Sequence, residues 1–321
     1  MSINVAVIGA GAMGTAVSQI IAPNANVLLY ARRKEVCGSI NDIRINKQYF
    51  PNVKLHESIL AVNDLNELKD VEIIFLCIPS STMRNIVEAL NKIVSDDCIF
   101  VSTAKGIENK TNKRMTEIIE EIIQRPAVAF SGPNIAAEMV KNLFASTTIA
   151  CSDDDYLNKV KNVLVTDSFK VNSNNDVVGT EFCGIIKNVI AISQGICEGM
   201  DINDNARFAV FTKSFEETKN IIEKLGGNRD TVDDYCGFGD IVTASTLTVS
   251  RNHTLGVLHG QGIVIDEKAS GVLFEGKNTT MILKKLCEEL NITSLTVDFV
   301  YDVIINKNSP KVAFNILWSQ L

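Results

Sequence analysis

Lys187 stands inside an apolar run, Gly179 to Asn205, where Ile185, Ile186, Val189, Ile190 and Ile192 recur at helical spacing. The run is too apolar for a surface helix. A lysine among isoleucines is costly to bury unless something pairs with it or uses it. Burial also lowers the pKa of an amine, which suits it to trade protons near neutral pH. Two readings fit. Lys187 is a proton-transferring group, with Asn188 beside it in the same catalytic set, or it is an amphipathic lysine whose ammonium reaches out to water. A second chemical stretch runs from Gly237-Phe-Gly-Asp240 to Ser250-Arg251-Asn252. Its end groups a hydroxyl, a guanidinium and an amide, the donors that hold a cluster of phosphate oxygens. Asp240 reads either as an orienting acid or as only an N-cap or first-turn helix acid.

The first half of the chain reads as the scaffold for such groups. Ile3 to Ile8 is a short β-branched run ending in Gly9-Ala-Gly11-Ala-Met-Gly14, and Ala16 to Ile21 continues with helical character. Strand, Gly-x-Gly-x-x-Gly, helix is the dinucleotide-binding order. Gly9 permits the tight turn, Gly11 lets backbone amides approach a pyrophosphate, and Gly14 lets the helix pack on the strand. The phosphates gain the helix N-terminus. The second strand, Val27 to Tyr30, runs into Ala31-Arg32-Arg33 and carries no acid for a ribose hydroxyl. Arginines there suit a 2′-phosphate, so NADPH is expected as the cofactor, with NADH possible. A solvated basic turn is the other reading.

Further strands are expected at Ile73–Ile78, Cys98–Ser102 and Ala127–Ser131, each followed by turn-forming residues. In an open parallel sheet the ligand lies at the carboxyl ends of the strands. That places Lys105 at the rim of the cofactor cleft, although alone it would read as a loop lysine. Ser146–Ala150 and Phe169–Asn172 look like closing strands, with a helix over Asp154–Val165 between them. Beyond residue 178 helical spacing dominates. The expected architecture is an α/β Rossmann-type dinucleotide-binding domain over residues 1–178 and an all-α substrate-binding and catalytic domain over 179–321.

Bulk composition agrees with two domains. The chain has 321 residues, 46% apolar and 21% charged, which suits a globular protein too long for one core. A net charge of −7 argues against a sequence-independent nucleic-acid surface, so an anionic ligand would need a local basic pocket. The eight cysteines never form Cys-x-x-Cys. They are expected to be reduced small hydrophobes in a cytoplasmic protein, with no metal site. The apolar N-terminal run lacks a basic leader segment, and no stretch is long enough to span a membrane.

In order along the chain, several segments resemble the soluble, bacterial-type NAD(P)-dependent glycerol-3-phosphate dehydrogenases. They are Gly9-Ala-Gly-Ala-Met-Gly-Thr15, Asn46-Lys-Gln-Tyr-Phe-Pro51, Lys105-Gly-Ile107 and Ser131-Gly-Pro-Asn-Ile-Ala-Ala-Glu138. Cys183-Gly-Ile-Ile-Lys-Asn-Val-Ile-Ala191, Gly237-Phe-Gly-Asp240, Ser250-Arg-Asn252 and Glu275-Gly276 complete the set. The resemblance implies that Lys187 is the proton acceptor and that Lys105 contacts substrate and cofactor. It also implies that Gly132, Asn134, Asp240, Ser250, Arg251 and Asn252 hold the substrate. Ala12, Met13, Arg32, Arg33, Ala136, Arg251, Leu273 and Glu275 would meet the dinucleotide. The family usually has Trp or Phe at Met13 and Thr at Ala244, and its glycine-rich segment keeps only its ends in Gly199–Asn205.

The expected reaction is reversible hydride transfer between NAD(P)H and dihydroxyacetone phosphate, giving sn-glycerol 3-phosphate for phospholipid synthesis. It requires Lys187 as acid and base, Lys105 as a second cation, Arg251 with its neighbours as phosphate anchor, and Asp240 as orienting acid. A related two-domain keto-acid reductase and a catalytically silent NADPH-binding sensor are the alternatives. An apolar helical domain often buries a dimer face, so a homodimer is expected.

Overall fold

The computed structural model describes residues 3–246, 250–263 and 275–321, and the chain divides into two compact units, Met1–Val177 and Val178–Leu321. The first unit is an eight-stranded sheet: β1 (Asn4–Ile8), β2 (Asn26–Tyr30), β3 (Ile59–Val62), β4 (Ile73–Leu76), β5 (Ile99–Ser102), β6 (Val128–Ser131), β7 (Ala145–Ala150) and β8 (Phe169–Asn174). The spatial order is β3-β2-β1-β4-β5-β6-β7-β8. Its helices are α1 (Ala12–Ile21), α2 (Lys34–Ile43), α3 (Met83–Leu90), α4 (Met115–Ile123), α5 (Ala136–Met139) and α6 (Asp154–Leu164).

The near-continuous apolar strands are explained by burial on both faces. Val5 and Val7 of β1 face one core with Ile73 and Phe75 of β4, and α1 covers that side through Ala16, Val17 and Ile20. Ala6, Ile8, Ile74 and Leu76 face the other core, which α3 and α4 cover with Val87, Leu90, Ile118 and Ile119. Period-two alternation of side chains thus supplies both layers from one run. The order reverses between β1 and β4, and this switch point is where an open α/β sheet leaves a crevice beyond its strand ends.

Two features of this sheet depart from the sequence reading. The short strand β3, with Leu60 exposed, has no long β-branched run to announce it. β7 pairs antiparallel with β6, so it and β8 run against the other six strands. The link from β6 to β7 contains only the four-residue helix α5, too short a helix to carry the chain back along the sheet for a parallel return.

The second unit has no strand among its described residues; its α-helices are α7 (Val177–Gly199, starting one residue earlier), α8 (Asp204–Lys224), α9 (Asp240–Thr246), α10 (Arg251–Gly260), α11 (Glu275–Glu289), α12 (Leu295–Ile304) and α13 (Pro310–Trp318). The long helix expected from Gly179 to Asn205 is in fact two. Asp201 takes a left-handed conformation (φ +55°), and the Ile202 amide returns to the Cys197 carbonyl, which closes α7. Buried Glu217 of α8 accepts from Ser294 Oγ and from the amides of Leu295 and Thr296, so it caps α12 from outside.

α7 and α10 cross with their backbones in contact. A Cβ on Gly195 would lie 2.1 Å from the His253 carbonyl oxygen, and one on Gly256 would lie 2.2 Å from that of Ile192. Gly199 and Gly260, one turn further along each helix, make the same close approach. This contact sets the start of α10 against the helix that carries Lys187.

Candidate active site

In the first unit, β1 ends at Ile8 and the chain turns sharply at Gly9, whose φ of +106° is reached without strain only by glycine. A side chain there would also strike the Cys77 carbonyl, and a Cβ on Gly14 would lie 1.9 Å from the Gly9 carbonyl oxygen. Gly11 differs, because its absent Cβ would meet nothing within 4 Å. Gly11 is also the N-cap of α1, makes no side-chain cap bond, and is followed by no acid in the first turn. Open space before an uncapped helix N-terminus is what a pyrophosphate needs, so these residues fit a dinucleotide. Ala12 and Met13 follow directly and pack partly against the core. Arg32 and Arg33 are exposed just past β2, and Arg33 donates to the Gln48 side-chain oxygen.

Further along the same sheet, Lys105 follows β5 and donates from Nζ to the Gly132 carbonyl at 2.9 Å. The Asn134 amide nitrogen donates to the same carbonyl at 2.7 Å. The structure therefore brings Lys105, Gly132 and Asn134 together. The Asn134 side chain is engaged with β7, donating to the Ser146 carbonyl and accepting from Thr147 Oγ1. Fully buried Thr147 had no signal in the sequence beyond its place in a strand. Ala136 begins α5 and packs against the core beside α1.

In the second unit, Lys187 donates from Nζ to Asp240 Oδ1 at 3.0 Å, and the two side chains are 16% and 4% exposed. Asp240 opens α9 after a single π turn over Tyr235–Gly239. Such turns re-aim the residue that follows them and recur at functional sites. Gly237 makes the turn possible, since a Cβ there would lie 2.1 Å from the Val232 carbonyl oxygen. Asp240 is thus a first-turn acid and the partner of Lys187 at once. Asn188 is buried beside Lys187.

Ser250 caps α10, its Oγ accepting from the His253 amide. Arg251 is exposed, and no described residue pairs with its guanidinium. Asn252 accepts the Gly276 amide through Oδ1 at 3.2 Å, which joins α10 to the start of α11 and leaves its amide hydrogens to donate. The first turn of α10 has no acid. Cap hydroxyl, guanidinium, side-chain amide and helix N-terminus together can hold a phosphate. Glu275 is the first residue of α11, while Leu273 lies outside the described residues.

The eight cysteines are all unbridged. Burial pushes the Cys77, Cys98 and Cys197 thiols up to about 12, so they are inert packing groups at neutral pH. Among the described residues no cluster of three or more His, Cys, Asp or Glu side chains could hold a metal, and no helix is long and apolar enough to cross a membrane.

The family model described as the NAD-dependent glycerol-3-phosphate dehydrogenase N-terminus matches residues 4–157, and that of the C-terminus matches residues 176–315. A glycerol-3-phosphate dehydrogenase (NAD(P)+) of Clostridium botulinum is 34% identical over 317 residues, covering 98% of this chain and 96% of its own. The enzyme of the same name from an Exiguobacterium species is 36% identical over 315 residues, 96% of this chain and 92% of its own. The crystal structure of a glycerol-3-phosphate dehydrogenase from Coxiella burnetii covers 99% of both chains with a TM-score of 0.90 at 26% identity. A ketopantoate reductase from Ralstonia eutropha aligns over 98% of this chain with a TM-score of 0.63 at 14% identity, which is a likeness of fold.

Proposed function

The chain belongs to the NAD-dependent glycerol-3-phosphate dehydrogenase family, and from that membership we infer that it catalyses reversible hydride transfer between NAD(P)H and dihydroxyacetone phosphate, giving sn-glycerol 3-phosphate. When bound, the nicotinamide supplies or takes up the hydride. The chain's own residues do the rest. The observation that carries the assignment is the part-buried Lys187–Asp240 pair.

As the substrate carbonyl is reduced, its oxygen gains negative charge. Lys187 donates a proton from Nζ to that oxygen, and in the reverse direction takes it back. Asp240 holds the amine in place and keeps it from turning toward water. Asn188 flanks the same proton-transfer position. Lys105, held by the Gly132 carbonyl, serves as a second cation for substrate and cofactor, with Asn134 beside it. Arg251, Ser250 and Asn252 hold the phosphate, and Arg251 and Glu275 also contact the dinucleotide, as does Ala136. Ala12, Met13 and the amides around Gly11 receive its pyrophosphate. Arg32 and Arg33 take a 2′-phosphate, which favours NADPH.

The product would feed phospholipid synthesis in the cytoplasm, and the enzyme would work as a homodimer. The test is a spectrophotometric assay of nicotinamide oxidation, with NADPH and NADH each run against dihydroxyacetone phosphate and a panel of keto acids. Oxidation with dihydroxyacetone phosphate and none with the keto acids is the expected result. Preference for a keto acid, or cofactor binding without oxidation, would overturn the assignment.

A further inference from the structure

Asn46 lies between α2 and the turn that leads to Phe50, and it is 1% exposed. Its backbone carbonyl accepts the amides of Tyr49 and Phe50, and Phe50 is packed into the core, so the residue is fixed from both sides. Its side chain reaches back across 36 positions. Nδ2 donates to the Ala10 carbonyl at 3.1 Å and to Thr15 Oγ1 at 2.8 Å. Thr15 Oγ1 donates in turn to the Gly11 carbonyl at 2.8 Å, and the Thr15 amide donates to the same oxygen. Asn46 Oδ1 is buried with no hydrogen-bond partner.

This arrangement matters because a trans peptide is planar, with its C=O and N–H pointing in opposite directions. Holding the Ala10 carbonyl toward Asn46 directs the Gly11 N–H away from it. Holding the Gly11 carbonyl toward Thr15 does the same for the Ala12 N–H. If either peptide turned over, a carbonyl dipole would replace an amide where an anion binds. Gly11 has no Cβ to resist such a flip and nothing within 4 Å to block it. The brace must come from outside the loop. An orphaned buried carbonyl oxygen is costly, and it marks the side chain as oriented for its two donated bonds.

We propose that Asn46 is a positioning residue for dinucleotide binding, acting through the Ala10–Gly11 and Gly11–Ala12 peptides and through Thr15. The proposal rests on reading Gly9–Gly14 as the cofactor loop. Asn46→Asp keeps the shape, removes both donors and sets a carboxylate against the Ala10 carbonyl. Its NADPH dissociation constant, measured by fluorescence titration without substrate, rises about tenfold or more, the scale of one or two lost hydrogen bonds. The KM for NADPH rises more than kcat falls, and the KM for dihydroxyacetone phosphate moves least. Thr15→Val weakens NADPH binding in the same direction. The double variant is no weaker than Asn46→Asp alone, because both changes cut one chain of bonds.

Cofactor affinity within twofold of wild type in a folded Asn46→Asp protein overturns the proposal. So does a fall of melting temperature and kcat with both KM values raised alike, which would mark a purely structural role. If Asn46→Asp does not fold, Thr15→Val decides alone, and unchanged affinity there overturns the proposal. A wild-type protein that binds no NADPH removes the functional reading and this one with it. Normal wild-type binding beside equally tight variants removes only this one.

Discussion

Lys187 and Asp240 lie 53 positions apart, and the ammonium of one donates to the carboxylate of the other at 3.0 Å with the acid 4% exposed. A pair of this kind is weak evidence for stability, because desolvation offsets most of the attraction. Its better use is to hold an amine at one address for proton transfer. Lys187→Ala is expected to cut kcat by about 10²–10⁴-fold, the usual scale for a general acid–base group. Near-wild-type turnover would end the assignment.

Arg251 gives a contrasting expectation. It is exposed and no described residue pairs with it, so its loss should leave the melting temperature almost unchanged. A charge-assisted hydrogen bond contributes about 1.5–3 kcal/mol, so Arg251→Ala should raise the KM for dihydroxyacetone phosphate by roughly 10–100-fold. Unchanged saturation by that substrate would reject the anchor role.

Arg32 and Arg33 bear on cofactor choice. Replacing both with alanine should raise the KM for NADPH by about tenfold or more while that for NADH moves little, since only NADPH carries the 2′-phosphate. Equal effects on the two cofactors would mean that the arginines form only a solvated turn.

The crossing of α7 and α10 is testable through stability. Gly256→Ala places a methyl 2.2 Å from the Ile192 carbonyl oxygen, which belongs to backbone and cannot swing aside. Overpacking of this kind costs about 1–3 kcal/mol or more. A lowered urea midpoint is expected, together with a raised KM for dihydroxyacetone phosphate, because α10 begins at Arg251. A midpoint within error of wild type would show that the helices part without cost.

Much of this was legible along the chain because the causes are local. Gly9, Gly11 and Gly14 were readable because one turn demands glycine at each place for a separate reason, and the buried strands because they are unbroken apolar runs. The reversal of β7 was not, since it depends on how short a helix the link from β6 contains. The break at Asp201 was hidden because a left-handed aspartate has no strong sequence mark. The pairing of Lys187 with Asp240 is a tertiary fact, set by a π turn that no periodicity reveals. Asn46 was visible only as part of a matching motif, because its bonds reach across 31 and 36 positions.

His253 yields a prediction about pH. It follows Arg251 on α10, is 2% exposed, and its Nε2 lies 3.5 Å from Glu198 Oε2. The Arg207 guanidinium bonds to the same carboxylate. Burial, reinforced by Arg207 and opposed by Glu198, holds the imidazole pKa below its ordinary value. The folded state therefore keeps His253 neutral at a pH where the unfolded chain takes up a proton. Its contribution to stability is complete above the unfolded pKa, about 6.5. It is lost as pH falls from there toward the folded value. Over that window the slope approaches about 1.4 kcal/mol per pH unit for one proton. Urea titrations from pH 7 down to pH 5, a range bracketing that of histidine, should show a shallower loss of stability in His253→Gln than in wild type. Parallel curves would mean that His253 takes up its proton as readily folded as unfolded, and that Glu198 rather than burial governs the site.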